Sequence, residues 1–334
     1  MVVEDLYSKQ FMSALRDHDI ETLSKVPKAD LHNHFVLGGN RQYIKDLTGI
    51  SIPCYQGVLS SMQDMHDWNG KYIGKKFNNL EMRKILIEAT FVQAKEDGVK
   101  VLEIGEDVWG LGEFFHNDIE ELMEAFHNAN STIAPDVELR MQIGLSRHCK
   151  VDYLMKCLNH FWGYKEFYSI DLYGDELAQP IENFVPIYKR AKEEGLRLKA
   201  HIGEWGTAQD IQKGIERLEL DEVQHGIAAV DSENVMKYLV DHNIRLNVTP
   251  SSNVKLGRVK DIKNHPIQKL YRAGVNVTIN SDDILIFDSD VSKEYLRLYE
   301  NETLNAEELD DIRVNGLKRM TIYKTSAKKE GFIK

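Results

Sequence analysis

The 334-residue chain has little of several features that mark particular classes of protein. Cysteine occurs only three times, at wide and irregular spacing, which excludes the disulfide framework of small secreted proteins. No stretch approaches the roughly 18 consecutive apolar residues of a membrane span. The first residues also lack the basic and apolar blocks of a signal peptide. These absences favour a globular protein of a reducing compartment, and we expect a cytoplasmic location without membrane contact.

Positive charge is also in short supply. The 42 Lys and Arg residues face 53 Asp and Glu residues, which gives a formal net charge of −11 at pH 7. Such a chain is poorly suited to holding a phosphate backbone, so nucleic acid is not an expected partner. Hydrophobic residues still make up 42% of the chain and charged residues 28%, which is enough to build a packed core.

No repeat, low-complexity tract or Pro-rich linker divides the sequence, and only seven prolines occur. Short apolar runs alternate instead with longer segments of helical period. The charged end, Lys318–Lys334, is predicted as a solvated terminal helix. The predicted helices between strands are Asn79–Asp97, Pro180–Glu194, Ala208–Leu218, Ser232–His242 and His265–Ala273. The predicted strands are Ala29–His34, Val101–Gly105, Leu139–Leu145, Tyr168–Leu172, Leu198–Gly203, Glu222–His225, Arg245–Thr249 and Asn276–Asn280.

Strands that alternate with helices form either a parallel barrel or an open doubly wound sheet. The strand count of eight and the absence of a Gly-rich phosphate-binding turn after strand 1 favour the barrel. We therefore predict one α/β domain over residues 1–334, a (β/α)8 TIM barrel with an extra helical excursion after strand 1. The excursion, Tyr43–Lys76, is expected to cover the mouth as a lid; the alternative is a helical hairpin outside the barrel.

Polar residues gather at the predicted carboxyl ends of the strands, where barrel enzymes place their active sites. Two histidines at i and i+2 end strand 1, and the period of a strand turns both toward the lumen. A single histidine or an Asp-Asp pair at a strand end has ordinary structural explanations, but convergence from four strands does not. The set comprises His32 and His34 (strand 1), His201 and Glu204 (strand 5), His225 (strand 6), and Asp282 and Asp283 (strand 8).

This convergence indicates a metal-dependent hydrolase. Neutral imidazole nitrogens and carboxylate oxygens suit Zn²⁺, and these strand ends offer no thiolate. The site leaves Glu204 and His225 free to move protons. The predicted ligands are His32, His34, His201 and Asp282.

A series of short motifs resembles the adenosine deaminase family, and the resemblance runs from about residue 26 to 320. Each motif is weak alone, but their order along the chain is specific to that family. They are Lys28–His34, Asp171–Glu176, His201–Glu204, His225–Gly226, Pro250–Asn253, His265–Pro266 and Ser281–Asp283.

The resemblance implies a (β/α)8 barrel with one zinc ion that deaminates a 6-aminopurine and releases ammonia. It assigns the zinc to the four ligands predicted above. The other implied roles are Glu204 as the acid that protonates purine N1, His225 as the residue that deprotonates or orients the attacking water, Asp283 as the partner of N7, and the Gly174 N–H as the donor to N3.

Strand 4 offers no lysine at its end, where related two-metal barrel hydrolases carry a modified one, so a single metal is expected. A different lysine needs an explanation. Lys199 shares the face of His201 one layer deeper in the barrel, where an unpaired charge is costly. It snorkels, pairs with an acidic residue, or marks an error in the predicted strand phase.

The sequence departs from the family on the sugar side. Val36 stands where adenosine deaminases usually carry the acid that contacts the ribose 5′-hydroxyl. Glu106 or Asp107 is a replacement for that contact, or both are solvated loop acids. We predict adenosine or a closely related nucleoside as substrate. The alternatives are adenine, an N6-substituted purine, a pterin, or a catalytically silent purine-binding relative.

A phosphorylated substrate is a further alternative, because basic residues follow strands 3 and 7. Basic residues are common in barrel loops, so this pattern is weak. The residues are Arg147, His148, Lys255 and Arg258.

Overall fold

Eight parallel strands form one sheet in which each strand pairs with its neighbour in sequence order. This is seen in the computed structural model of the protein, which describes residues 2–318. Beyond β8, the Asp282 N–H donates to the carbonyl of His32 at 2.9 Å, and Asn33 and Asp282 form an isolated parallel β-bridge. The barrel is therefore nearly closed, and the predicted fold class is confirmed. The strands are β1 (Lys28–Asp30), β2 (Val99–Ile104), β3 (Glu138–Ser146), β4 (Phe167–Tyr173), β5 (Arg197–Ile202), β6 (Glu222–His225), β7 (Arg245–Val248) and β8 (Asn276–Ile279).

Helices surround the barrel, and none of those in residues 2–318 is long and apolar enough to cross a membrane. Short 3-10 turns cover Ile181–Phe184, Ile227–Asp231 and Ile262–Asn264, and a π-helical turn covers Gly70–Gly74. The α-helices are α1 (Val2–Arg16), α2 (Ile20–Leu23), α3 (Arg41–Thr48), α4 (Met62–Asn69), α5 (Leu80–Glu96), α6 (Val108–Phe114), α7 (Ile119–Ile133), α8 (Val151–Leu158), α9 (Val185–Glu193), α10 (Ala208–Leu218), α11 (Glu233–Asp241), α12 (Pro250–Lys255), α13 (Ile267–Arg272), α14 (Ile284–Phe287), α15 (Val291–Glu300) and α16 (Ala306–Leu317).

The first strand is shorter than its sequence predicts. The apolar pattern places its end at His34, but β1 stops at Asp30. The reason is that the N–H of Leu31 donates to the side-chain oxygen of Asn280 at 2.8 Å instead of to a neighbouring strand. His32 therefore lies in the irregular segment that follows the strand.

The barrel interior below the carboxyl ends contains buried charge. Lys199 is fully buried, and its Nζ donates to Glu103 Oε1 at 3.0 Å and to the carbonyl of Leu31 at 2.7 Å. Of the three explanations for this lysine, pairing with an acid is the one observed. The predicted strand phase is correct, because Lys199 and His201 both point into the lumen.

The excursion after strand 1 contains α3, α4 and the π-helical turn. Trp68 and Ile73 are buried in the core, while Met62 and Met65 form part of the wall of the cavity at the barrel mouth. The segment therefore covers the mouth as predicted, and the outside hairpin is wrong. Its motion as a lid stays a prediction, as does the single domain over residues 1–334. The predicted terminal helix lies outside the described residues after Lys318.

Candidate metal centre and active site

A cavity of about 350 Å³ opens at the carboxyl ends of the strands. His32 is buried behind its wall, with its ring 5.5 Å from that of His34. The structure thus brings the sequence-predicted site residues together. Those on the cavity wall are His34, Gly174, His201, Glu204, His225, Asp282 and Asp283.

Two of these residues have strained backbone geometry. His225, the last residue of β6, has a φ of 62°, and Asp282 has a φ of 60°. A left-handed conformation costs a residue other than glycine about 1–3 kcal/mol, and such strain concentrates at functional sites. At Asp282 the same turn closes the barrel, because its N–H bonds to the carbonyl of His32. The fold therefore compensates for the strain at this position while it aims the carboxylate at the cavity.

His32 and His201 face each other in a way that suits a cation between them. His32 Nδ1 lies 3.0 Å from the carbonyl oxygen of Asn247, and because that oxygen only accepts, Nδ1 carries the proton. Asp171 fixes the same tautomer in His201, whose Nδ1 lies 3.3 Å from its carboxylate. The two Nε2 lone pairs then meet at 3.0 Å with no proton to share. Histidines held from behind by a carbonyl or carboxylate are typical of metal sites.

Asp282 and His34 extend this donor set. The Oδ1 of Asp282 lies 3.5 Å from His34 Nε2 and 3.7 Å from His32 Nε2. Burial is the main cause that lowers the pKa of His34 to about 3, so its imidazole is neutral, as a metal ligand must be. Nitrogen and oxygen donors without a thiolate suit zinc well.

Two groups of three residues, which share His32, could each hold a metal ion. Within each group the ligand atoms all lie within 4.8 Å of one another. His32, His34 and Asp282 form one group, and His32, His201 and His225 form the other. The described part of the chain therefore holds a candidate metal centre around His32. The second group includes His225, which sequence reasoning kept for proton transfer.

Glu204 lies beside the candidate ligands but belongs to neither of these two groups. Its Oε1 lies 3.4 Å from His225 Nδ1 and accepts a hydrogen bond from Asn253 Nδ2 at 3.1 Å. Burial, reinforced by the nearby charge of Asp282, raises the pKa of Glu204 well above its ordinary value. Such surroundings favour the protonated form of a carboxyl group, which is the form able to deliver a proton to a ligand.

Sequence reasoning missed the residue that holds the backbone around Glu204. The carboxylate of Glu176 accepts hydrogen bonds from the backbone N–H groups of residues 203–206 over 2.7–3.1 Å. One buried side chain from the segment after β4 therefore fixes the turn after β5. Its only signal in the sequence is its place in the Asp171–Glu176 motif.

Asp283 and Gly174 lie where a ligand can reach them. Asp283 Oδ1 is buried and has no hydrogen-bond partner among residues 2–318. Burial, followed by the charge of Asp282, raises the pKa of Asp283 well above its usual range. Gly174 follows β4 with a φ of 88°, a conformation that favours glycine. Their contacts with a purine stay predictions.

The two acids after β2 are buried, so their assignment as solvated loop residues is wrong. Glu106 is fully engaged, because Arg83 donates to both of its carboxylate oxygens at 2.6 and 2.7 Å. Asp107 accepts hydrogen bonds from the Ser146 hydroxyl and from the N–H of Trp109, and it lines the cavity. Only Asp107 remains available for a sugar contact, which stays a prediction.

Comparison with known proteins agrees with this geometry. The adenosine deaminase family model matches residues 83–330, a range that begins after His34. A protein of Treponema pallidum (strain Nichols), assigned as an adenosine/adenine deaminase, is 31% identical over 268 residues, which cover 80% of this chain and 89% of the relative. An adenosine deaminase of Clostridium acetobutylicum is 27% identical over 324 residues, covering 89% and 93%.

A solved structure extends the similarity to the fold. The adenine deaminase of Arthrobacter aurescens superposes with a TM-score of 0.75 at 24% identity, covering 87% of this chain and 92% of that one. The curated relatives and the family match span most of the chain. The protein therefore belongs to the adenosine deaminase family and is an adenosine/adenine deaminase-type metal-dependent aminohydrolase.

Proposed function

We propose that the metal is one Zn²⁺ ion held by His32, His34, His201 and Asp282. The facing lone pairs of His32 and His201 and the nearby carboxylate support this assignment. A divalent zinc ion at this position supplies Lewis-acid activation of water at neutral pH. Glu204 and His225 remain free of the metal in this arrangement.

We propose that the protein hydrolyses the 6-amino group of adenosine or of a closely related 6-aminopurine nucleoside, giving ammonia and the inosine-type product. One observation carries the proposal: the Glu204 carboxyl group is buried on the cavity wall, 3.4 Å from His225 and beside the candidate ligands. Deamination at C6 needs this combination, because a ring nitrogen must gain a proton while water attacks the neighbouring carbon.

Each residue then has a distinct task. Glu204 gives its proton to N1, which makes C6 electrophilic, and it is left as a carboxylate that accepts from Asn253. His225 holds the attacking water in line with C6. The partnerless Oδ1 of Asp283 contacts the purine at N7, and the Gly174 N–H donates to N3.

The cavity favours an uncharged substrate over a nucleotide. Its wall includes no lysine within the described residues, and its one arginine, Arg83, is neutralised by Glu106. Two of the basic loop residues have other contacts: Arg147 donates to the carbonyl of Gln179, and Arg258 lies over the Trp205 ring at 4.0 Å. His148 lines the cavity, but burial is the main cause that lowers the pKa of its imidazole. The acid Asp107 also lies on this wall, which disfavours a negatively charged phosphate group.

Free adenine is the second candidate. The apolar side chain of Val36 on the cavity wall removes one acceptor that a ribose hydroxyl would use, and the Arthrobacter relative is named an adenine deaminase. Ammonia release from zinc-loaded protein separates the candidates, with adenosine, deoxyadenosine, adenine, methylthioadenosine and AMP as substrates. A higher kcat/KM for adenosine than for adenine supports the nucleoside, and the reverse order supports adenine. No release from the whole panel contradicts both.

A further inference from the structure

A chain of hydrogen bonds runs from a backbone amide outside the cavity toward the two proton-handling residues. It begins at Ile267, whose N–H donates to His265 Nδ1 at 3.1 Å. Because a backbone N–H only donates, Nδ1 must be the unprotonated nitrogen of that ring. His265 is buried, and burial lowers its pKa to about 3, so the imidazole is neutral and carries its proton on Nε2.

His265 in turn determines the orientation of the Asn253 amide. Its Nε2 lies 3.2 Å from Asn253 Oδ1, and a protonated Nε2 requires an acceptor there. The Nδ2 end of the amide must then point the other way. Asn253 is fully buried in α12, so its amide cannot turn over and satisfy its two ends with water.

The Nδ2 end of Asn253 meets both residues of the proposed proton chemistry. It lies 3.1 Å from Glu204 Oε1 and 3.2 Å from His225 Nδ1. An amide N–H only donates, so both atoms act as acceptors. The hydroxyl of Thr249, 3.0 Å from His225 Nδ1, is a second group able to donate to the same nitrogen. A neutral His225 with an accepting Nδ1 carries its proton on Nε2.

We propose that His265 is a positioning residue of the active site, which through Asn253 holds His225 in its Nε2–H tautomer and occupies one oxygen of Glu204. The catalytic meaning of this arrangement rests on the proposed function. His225 donates a hydrogen bond to the attacking water and so orients it. Of the two protons that the water loses in the whole reaction, one leaves with ammonia and the other restores the proton that Glu204 gave to N1. Glu204 carries its acid proton on Oε2; that O–H bond breaks as the N1–H bond forms.

The same tautomer decides between the two candidate ligand groups. An Nε2 that carries a proton has no lone pair for a metal, and Nδ1 of His225 is already engaged by Asn253 and Thr249. The group of His32, His201 and His225 is thereby excluded as a complete ligand set. His34 and Asp282 take the remaining positions beside His32 and His201.

The most direct experiment reads the tautomers without any substrate. Zinc-loaded protein labelled with ¹⁵N-histidine is studied by long-range ¹H–¹⁵N correlation, with His225 and His265 assigned from His225→Asn and His265→Gln spectra. Both rings are expected to be neutral, with a protonated Nε2 and an unprotonated Nδ1. A protonated Nδ1 on either ring overturns the proposal.

A matched pair of variants tests the consequence for turnover. His265→Gln keeps an amide N–H near the position of Nε2, whereas His265→Leu removes every donor to Asn253. Loss of such supporting contacts typically costs about 10–100-fold. We expect that loss in kcat/KM for the Leu variant, accompanied by mixed His225 tautomers, and values close to wild type for the Gln variant.

The outcomes distinguish the proposals. A folded Leu variant with unchanged kcat/KM and an unchanged His225 signal overturns the role of His265. If the Leu variant does not fold, the wild-type spectrum and the kcat/KM of the Gln variant still test the role of His265. If no 6-aminopurine is turned over, the spectra still decide the arrangement of His265 and Asn253, and only the proposed function fails.

Discussion

The side chain of Tyr173 occupies space that exists only because residue 144 is glycine. A Cβ added at Gly144 would lie 2.2 Å from the Tyr173 hydroxyl oxygen and 2.8–2.9 Å from the ring carbons beside it. The Tyr173 ring in turn stands edge-on to His34, with 5.0 Å between ring centroids. Gly144 in β3 therefore leaves the space that allows the Tyr173 ring to pack against His34, a candidate metal ligand.

Gly144→Ala is expected to weaken both stability and substrate binding, because the Tyr173 ring must move away from its place beside His34. Overpacking of this kind typically costs about 1–3 kcal/mol. Urea unfolding and the KM of the best substrate measure the two effects. When Tyr173 is already alanine, Gly144→Ala should lower the free energy of unfolding much less than it does in the wild-type protein. Equal costs in both backgrounds would show that the two residues do not interact.

Lys199→Met should strongly destabilise the protein. The substitution leaves Glu103 buried without its cation and frees the carbonyl of Leu31, next to His32. Breaking one partner of a buried ion pair costs about 3–5 kcal/mol. The control is Lys199→Met/Glu103→Gln, which removes the orphaned charge and should recover part of the loss in urea unfolding. A double variant no more stable than Lys199→Met would contradict the pairing.

Asp107→Asn should stabilise the protein more at pH 8 than at pH 5. Burial is the main cause that raises the pKa of Asp107 to about 7, so the folded state keeps this proton after the unfolded state has lost it. Wild-type stability therefore falls as pH rises from about 4 to about 7, by up to about 1.4 kcal/mol per pH unit. Asparagine still accepts from the Trp109 N–H as the N-cap of α6.

Thermal unfolding of both zinc-loaded proteins at the two pH values measures this effect. The advantage of Asp107→Asn in melting temperature should grow between pH 5 and pH 8. An equal difference at both pH values would place the pKa of Asp107 near its ordinary range.

Chelation of the metal should lower the melting temperature, because it leaves the lone pairs of His32 and His201 facing each other at 3.0 Å. A ligand at 100 times its Kd stabilises the folded state by about 2.7 kcal/mol, so readdition of Zn²⁺ should restore the transition. Asp282→Asn is the matched control and should respond much less to added zinc. An identical melting temperature with and without chelator would argue against a metal between these histidines.

The sequence predicts those parts of the site that depend on strand ends. Because all parallel strands of a barrel deliver their carboxyl ends to one mouth, His201 and Asp282 can be placed together although they are far apart in the chain. Chain order alone does not tell where β1 stops, since that depends on the Asn280 side chain. Whether the buried Lys199 has a counter-charge likewise depends on Glu103, which lies in a different strand.

The supporting contacts escape sequence analysis for the same reason. Glu176 binds the backbone of residues 203–206, and His265 bonds to Asn253 within the connection between β7 and β8. No local pattern specifies these pairs, because the partners lie in different elements: Glu176 and residues 203–206 follow different strands, and Asn253 and His265 lie twelve residues apart. Glu176, Asn253 and His265 all lie in the motifs shared with the family, but a motif does not specify which residues its members contact.

The central claim is that Glu204 supplies the proton that makes C6 of a 6-aminopurine electrophilic. Glu204→Gln keeps the size and the Asn253 contact of the side chain but has no acid proton to give. Ammonia release by zinc-loaded wild type and variant tests it, with metal content measured on both. We predict equal zinc content and a loss of about 10²–10⁴-fold in kcat for the variant. A zinc-loaded Glu204→Gln protein with wild-type turnover would contradict the account.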